Sequence, residues 1–223
     1  MTGTLSEHEA LPSERMIAET HDVSRMTARR ALETLEMEGL AYNEQRRGRF
    51  VSPPRLNYDI SRMVSFAADA QSSGTELEID VIAAGTGRAD ARLAALLGVS
   101  QDAELFEYTR LFRTGGHAIF VETEHVIASL CPDLLDHDLR QSTTRLLEQH
   151  YQISAHVGDI TIRMRGMNAT EATRLGLPEN HAGIELEQVV RDMSGDPFCV
   201  GCQVWRGELA EFSARAIVNA GET

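Results

Sequence analysis

Lysine is absent from this chain: all 21 basic residues are arginine. Cysteine is scarce and odd in number. Cys131, Cys199 and Cys202 build no disulfide framework, which suits a reducing compartment and makes the cytoplasm the expected location. No stretch approaches the ~20 apolar residues needed to cross a bilayer, so no membrane partner is expected. Met1 to Ala10 is polar and acidic, unlike a secretory signal. The histidines form no His-x-x-x-His or HExxH pattern. Cys199 and Cys202 are spaced as C-x-x-C, but on a strand residues three apart face opposite ways. No metal site and no cofactor are expected. An evident nucleophile and a glycine-rich phosphate loop are also missing, which argues against an enzyme.

The 223 residues are long for one domain and comfortable for two. Their net charge of -13 looks wrong for a nucleic-acid binder until it is divided. Residues 1–58 carry eight arginines against nine acids, a balance of -1, whereas the remainder carries 13 arginines against 25 acids, a balance of -12. The arginines of the first segment also cluster, at 25–30 and 46–49. DNA affinity depends on a local basic face, so an acidic chain can still bind, and its acidic remainder discourages non-specific contact.

Within that segment, Ser13 is a good helix cap, Glu14 suits a first turn, and Met16 and Ile17 begin an apolar face. His21-Asp22-Val23 interrupts the pattern. Ser24 then caps a second helix over 25–38, ended by Gly39. Ala28, Ala31, Leu32 and Leu35 share one face of it, and Arg25, Thr27, Arg29 and Arg30 stand mainly off that face. Two helices joined by about three residues are a helix-turn-helix, whose second helix enters the major groove. Short strands at 40–42 and 49–51, around a basic tip with Gly48, read as a wing. Ser52-Pro53-Pro54-Arg55 cannot continue a central strand, which places a linker at 52–57. Beyond it the spacing predicts helices at 61–72, 89–97, 142–150 and 169–176. Strands are predicted at 77–86, 103–114, 117–127, 155–166, 182–193 and 197–206. Direct hairpins at Thr114-Gly115-Gly116-His117 and Ser194-Gly195-Asp196-Pro197 imply antiparallel pairing, hence an α+β fold.

Leu11-Pro12-Ser13-Glu14-Arg15, then Val23 through Leu32, then Glu38-Gly39-Leu40 resemble the winged-helix signature of GntR-type regulators. Ile60-Ser61-Arg62, Ser65-Phe66, Tyr108 to Leu111, Val121-Glu122, Gly195-Asp196-Pro197 and Trp205-Arg206-Gly207 are similar to the HutC branch. Its sensor, the UTRA domain, shares the chorismate-lyase fold. The resemblance implies a winged helix-turn-helix over 1–56 and an effector-binding, dimerising antiparallel-sheet domain over 57–223. Members usually carry another helix before Leu-Pro-Ser-Glu; with ten residues ahead of Leu11, that helix is expected to be short or missing.

By the same resemblance Arg15, Ser24, Arg25, Thr27 and Arg29 occupy DNA-contacting positions, with Arg47 and Gly48 at the wing. Arginine forks suit guanine edges or phosphates, and small hydroxyls suit either. Arg29 and Arg30 also fit a solvated helix face beside Glu33. Such regulators bind palindromic double-stranded operators as homodimers. Ser65, Phe66, Arg110, Glu122, Ser142, Thr144, Cys199 and Trp205 match effector-binding positions. Arg110 and Glu122 are either a polar clamp for a metabolite, anionic in many members, or partners that satisfy each other across the hairpin. Cys199 stands where the family often has a carboxylate. The function implied is a repressor whose operator binding answers to a small metabolite. The alternatives are a small-molecule binder with a degenerate DNA domain, or a lyase-like enzyme on the sensor fold.

Overall fold

Ser13 starts the first helix by accepting the Met16 amide at 3.2 Å, and α1 runs Glu14–His21. Asp22 turns the chain with a left-handed φ of 50°, and Ser24 caps α2, Arg25–Met37, by accepting the Thr27 amide at 3.0 Å. Gly39 then redirects the backbone at φ 74°, where a Cβ would stand 2.6 Å from the Arg55 guanidinium. In the computed structural model described here, the residues covered are 5–44, 47–53, 55–62, 66–67 and 76–215. Ala28 and Leu32 of α2 are buried as expected; Ala31 and Met16 are exposed, since no described element lies over that side of the helices.

The wing is an antiparallel pair, β1 (Ala41–Glu44) and β2 (Gly48–Val51). The residues before α1 lie along β2 as extended chain rather than helix. Val51 O receives the His8 amide at 3.0 Å, Val51 N donates to Glu9 O at 2.9 Å, and Leu11 N donates to Arg49 O at 2.8 Å. Arg49 bonds Glu36 of α2 and lies 3.1 Å from Glu14 of α1, tying both helices to the wing.

β3 (Leu56–Asp59) begins inside the span expected as linker and pairs in parallel with β10 (Ala210–Ser213), a pairing the sequence pattern did not announce. Of the helix expected at 61–72, Ile60–Arg62 form a 3-10 turn and 66–67 are helical; the rest lies outside the described residues. The remaining strands form one antiparallel sheet. They are β4 (Glu78–Arg88), β5 (Glu104–Thr114), β6 (His117–Ile127), β7 (Val157–Gly166), β8 (Ala182–Arg191) and β9 (Pro197–Arg206). Their order is β4-β5-β6-β9-β8-β7. Alternation divides the side chains between two faces. One face packs on α3 (Ala91–Leu97) and α5 (Ala169–Leu175) through Leu105, Val200, Leu111 and Val204. The other carries an aromatic cluster, with Phe120 stacked 3.9 Å from Trp205 and 4.1 Å from Phe112. It also carries a second cluster under α4 (Thr143–Tyr151).

Candidate functional site

Two sites emerge, one in each part of the molecule. In the first, the start of α1, the start of α2 and the wing converge on a cleft lined by Ser13, Arg15, Arg25, Arg47 and Gly48. Arg25 makes no hydrogen bond or ion pair among the described residues, and Arg15 and Arg29 hold only exposed i,i+4 partners, Glu19 and Glu33, each at 2.8 Å. Such surface pairs contribute little and yield easily to a phosphate. Arg47 bonds Glu44 beside the tip of the wing. Gly48 holds φ 109° with open space around it, so a Cβ-bearing residue would be strained at this tip. Ser24 and Thr27 face solvent, but their hydroxyls bond each other at 2.9 Å, so both also build the cap. The structure therefore gathers Arg15, Arg25, Arg47 and Gly48 in one cleft and leaves Ser24, Thr27 and Arg29 beside it.

The second site is a polar gap in the apolar face of the sheet, between the aromatic cluster and α4. Arg110 on β5 stands directly opposite Glu122 on β6. It is 2% exposed. Its Nε donates to Glu122 at 2.9 Å, and its Nη1 donates to the carbonyls of Leu139 at 3.1 Å and Gln141 at 2.5 Å. Its Nη2 donates to Glu122, to Glu124 at 3.3 Å and to Thr143 Oγ1 at 3.1 Å. Burial opposes its charge, but Glu122 and Glu124 outweigh that and hold the guanidinium above its ordinary range. For the Glu124 carboxyl the balance goes the other way: burial and the like charge of Glu122 push it up against the pull of Arg110. Cys199 donates its thiol to Glu124 at 3.0 Å, and burial followed by that carboxylate pushes the thiol well up.

The gap is lined by Glu122, Glu124, Thr144, Gln188, Cys199 and Gly201, among others. Of the expected effector residues, Glu122, Thr144 and Cys199 reach it, with Arg110 directly behind. Ser142 lies one step back, its hydroxyl 3.1 Å from that of Thr144. Phe66 and Trp205 do not line it: both belong to the aromatic core, and the Trp205 indole N–H is satisfied by Gln203 at 2.9 Å. Ser65 lies outside the described residues. Glu124, Gln188, Gly201 and Gln203 were not anticipated. The signal was present in alternation, which puts Glu122 with Glu124, and Cys199 with Gly201 and Gln203, on one face.

A third arrangement joins the two parts. His8 and His117 stack at 4.0 Å, and the Tyr42 hydroxyl lies 2.8 Å from His8 and 3.1 Å from His117. Glu44 is 2.7 Å from His117. Arg206 sits 4.8 Å over the Tyr42 ring, bonded to Glu208 at 2.9 Å, with its Nη2 unpartnered among the described residues. Among the described residues no group of His, Cys, Asp or Glu could hold a metal, and no helix is long and apolar enough to cross a membrane.

Resemblance to known proteins extends over both parts of the chain. Residues 72–211 match the UTRA domain family, and residues 1–51 match the bacterial regulatory proteins of the gntR family. The HTH-type transcriptional repressor NagR of Bacillus subtilis is 27% identical over 210 residues, covering 94% of this chain and 86% of that one. The histidine utilization repressor of Pseudomonas putida is 25% identical over 216 residues, covering 96% and 81%. The crystal structure of PhnF from Mycobacterium smegmatis superposes with a TM-score of 0.71 at 26% identity, covering 97% of this chain and 95% of that one. The first two are repressors by name, and the lyase-like reading of the Arg110–Glu122 pair falls away. The winged helix-turn-helix, the six-stranded UTRA sheet and the matches across nearly the whole chain together place this protein in the GntR family, as a DNA-binding regulator of the HutC type.

Proposed function

We propose that the chain is a homodimeric repressor that binds a palindromic operator and releases it when a small molecule occupies the gap on the sheet. The observation that carries this reading is the convergence of Arg15, Arg25 and Arg47 on one cleft in a chain of net charge -13. Each protomer presents the N-terminal end of α2 to a major-groove half-site, and the wing, with Gly48 at its tip, reaches the adjacent minor groove. Arg25 and Arg29 act from α2, with the Ser24 and Thr27 hydroxyls toward the phosphates. Residues 1–56 form the DNA-reading domain and 57–223 the sensing and dimerising domain.

In the sensor, Glu122, Thr144 and Cys199 contact the effector, and Arg110 holds Glu122 in place. The anionic effector expected from Arg110 as an open fork is not supported by a guanidinium whose donors are all engaged. The ligand acts through its different affinity for the two arrangements of the DNA domains.

Mobility shifts on the intergenic DNA upstream of the protein's own coding region test the proposal. The wild type should bind cooperatively as two protomers, and Arg25→Ala should weaken specific binding by roughly 1–3 kcal/mol. One protomer per site without cooperativity would rule out the dimer, and absence of any specific shift would favour a degenerate DNA domain.

A further inference from the structure

We propose that the gap on the sheet receives its ligand through a compact cationic nitrogen, a primary ammonium head seated between Glu122 and Glu124. The proposal rests on reading the gap as the effector site, and it concerns the charge of what enters.

The donors and acceptors facing the gap are unequal. No arginine or histidine is among the residues that line it, and Arg110 stands behind the lining. Its N–H groups are spent on Glu122, Glu124, Thr143 and two backbone carbonyls. No donor of that fork is left to grip a phosphate or carboxylate. Thr143 donates to Glu124 at 3.0 Å while accepting from Tyr108 at 2.7 Å. Gln203 gives its amide to Glu122 at 2.8 Å. Tyr58, Thr144, Leu186 and Val190 also line the gap; the acceptors left open are two carboxylates, each with lone pairs to spare, beside the Gln188 side chain, which has no hydrogen-bond partner among the described residues.

The backbone is fitted to that surface. Gly201 lies opposite Glu124 on β9. A Cβ there would stand 3.0 Å from Glu124 Oε2, so a bare glycine lets the carboxylate rest against the strand. The space is about 30 Å³, room for a water-sized head group such as an ammonium. Two buried carboxylates share one guanidinium, and burial with like-charge repulsion keeps the Glu124 carboxyl raised. An ammonium with three N–H donors relieves both the repulsion and the surplus of acceptors. The features that favour an anion are weaker. Ser142 and Thr144 stand at the start of α4, but their hydroxyls already bond each other at 3.1 Å.

Thermal unfolding of the full-length protein separates the possibilities. The probes are methylammonium, tetramethylammonium, acetate and inorganic phosphate, compared at one ionic strength. Methylammonium should raise the midpoint saturably in the wild type, and the rise should vanish in Glu124→Gln and persist in Ser142→Ala. Tetramethylammonium, with the same charge and no N–H, should give no saturable rise, and neither should acetate or phosphate. Should Glu124→Gln fail to fold, Gln188→Ala and Gly201→Ala take its place, and each should weaken the methylammonium response. A saturable rise with acetate or phosphate that is lost in Ser142→Ala would overturn the proposal and leave the effector site standing as an anion site. Responses that no substitution in the gap alters would overturn both.

Discussion

Two buried arginines do opposite work from the exposed ones. Arg49 is three-quarters or more covered and joins Glu14 on α1 to Glu36 on α2. Arg49→Met should therefore lower the stability of the DNA-reading part by about 1–3 kcal/mol, leaving two half-buried carboxylates without their partner. Arg25→Ala, at an exposed residue with no partner among the described residues, should leave the urea midpoint within about 0.5 kcal/mol of wild type. In the sensor, Arg110→Met strands Glu122 and Glu124 beneath the sheet surface, at a cost of about 3–5 kcal/mol in equilibrium unfolding. The sequence alone brought Arg110 and Glu122 together across the Gly115-Gly116 hairpin, but that turn by itself pairs Arg110 with Val121; the register shift between Phe112 and Arg113 is what puts Glu122 opposite. It did not reveal that the guanidinium is fully engaged. That depends on the carbonyls of Leu139 and Gln141, which arrive from a connection no periodicity describes.

The helix-turn-helix was legible because its information is local: two serine caps, a three-residue turn and a glycine stop lie within 27 residues of one another. Ser24→Ala should cost about 1 kcal/mol of stability through the lost Thr27 cap, read by equilibrium unfolding. It should also weaken DNA binding, since the same hydroxyl faces outward. The long strands were legible from alternation and from the two hairpin turns. β3 and β10 were not, because each has four residues and their pairing joins Leu56 to Ala210 across nearly the whole chain. The face of α2 was read one residue too wide. Ala31 lies at helical spacing from Ala28, but α1 is only eight residues long and does not reach over it.

At the scale of the molecule, the junction of His8, Tyr42, Glu44, His117 and Arg206 connects the wing to the β5–β6 hairpin that carries Arg110 and Glu122 at mid-strand. Burial first, then His117 and Arg206, hold the His8 imidazole below its ordinary value, against the opposing pull of Glu7 and Glu44. The folded molecule therefore binds fewer protons at His8 than the unfolded chain does. Its contribution is intact above the ordinary value of 6.5 and is lost as pH falls below it toward the folded value. Glu208, pulled down to about 2 by His181 and Arg206 despite its burial, weakens the fold only in a lower window, as pH drops from 4.5 toward 2. Protease cleavage in the connection at 52–55 should rise between about pH 7.5 and about pH 5.5 in the wild type, and change less in His8→Gln. No sequence pattern announced this junction, because Tyr42 and His117 are 75 residues apart and meet only once both domains are built.

The central proposal is that an acidic chain reads DNA through a few arginines. The most direct measurement is the salt dependence of operator affinity for wild type and Arg25→Ala, by fluorescence anisotropy on the upstream DNA and on a scrambled duplex. Binding should be tighter to the upstream sequence, fall steeply with salt, and be roughly 1–3 kcal/mol weaker for Arg25→Ala. Equal affinity for both duplexes, or an Arg25→Ala curve that overlays the wild type, would contradict it.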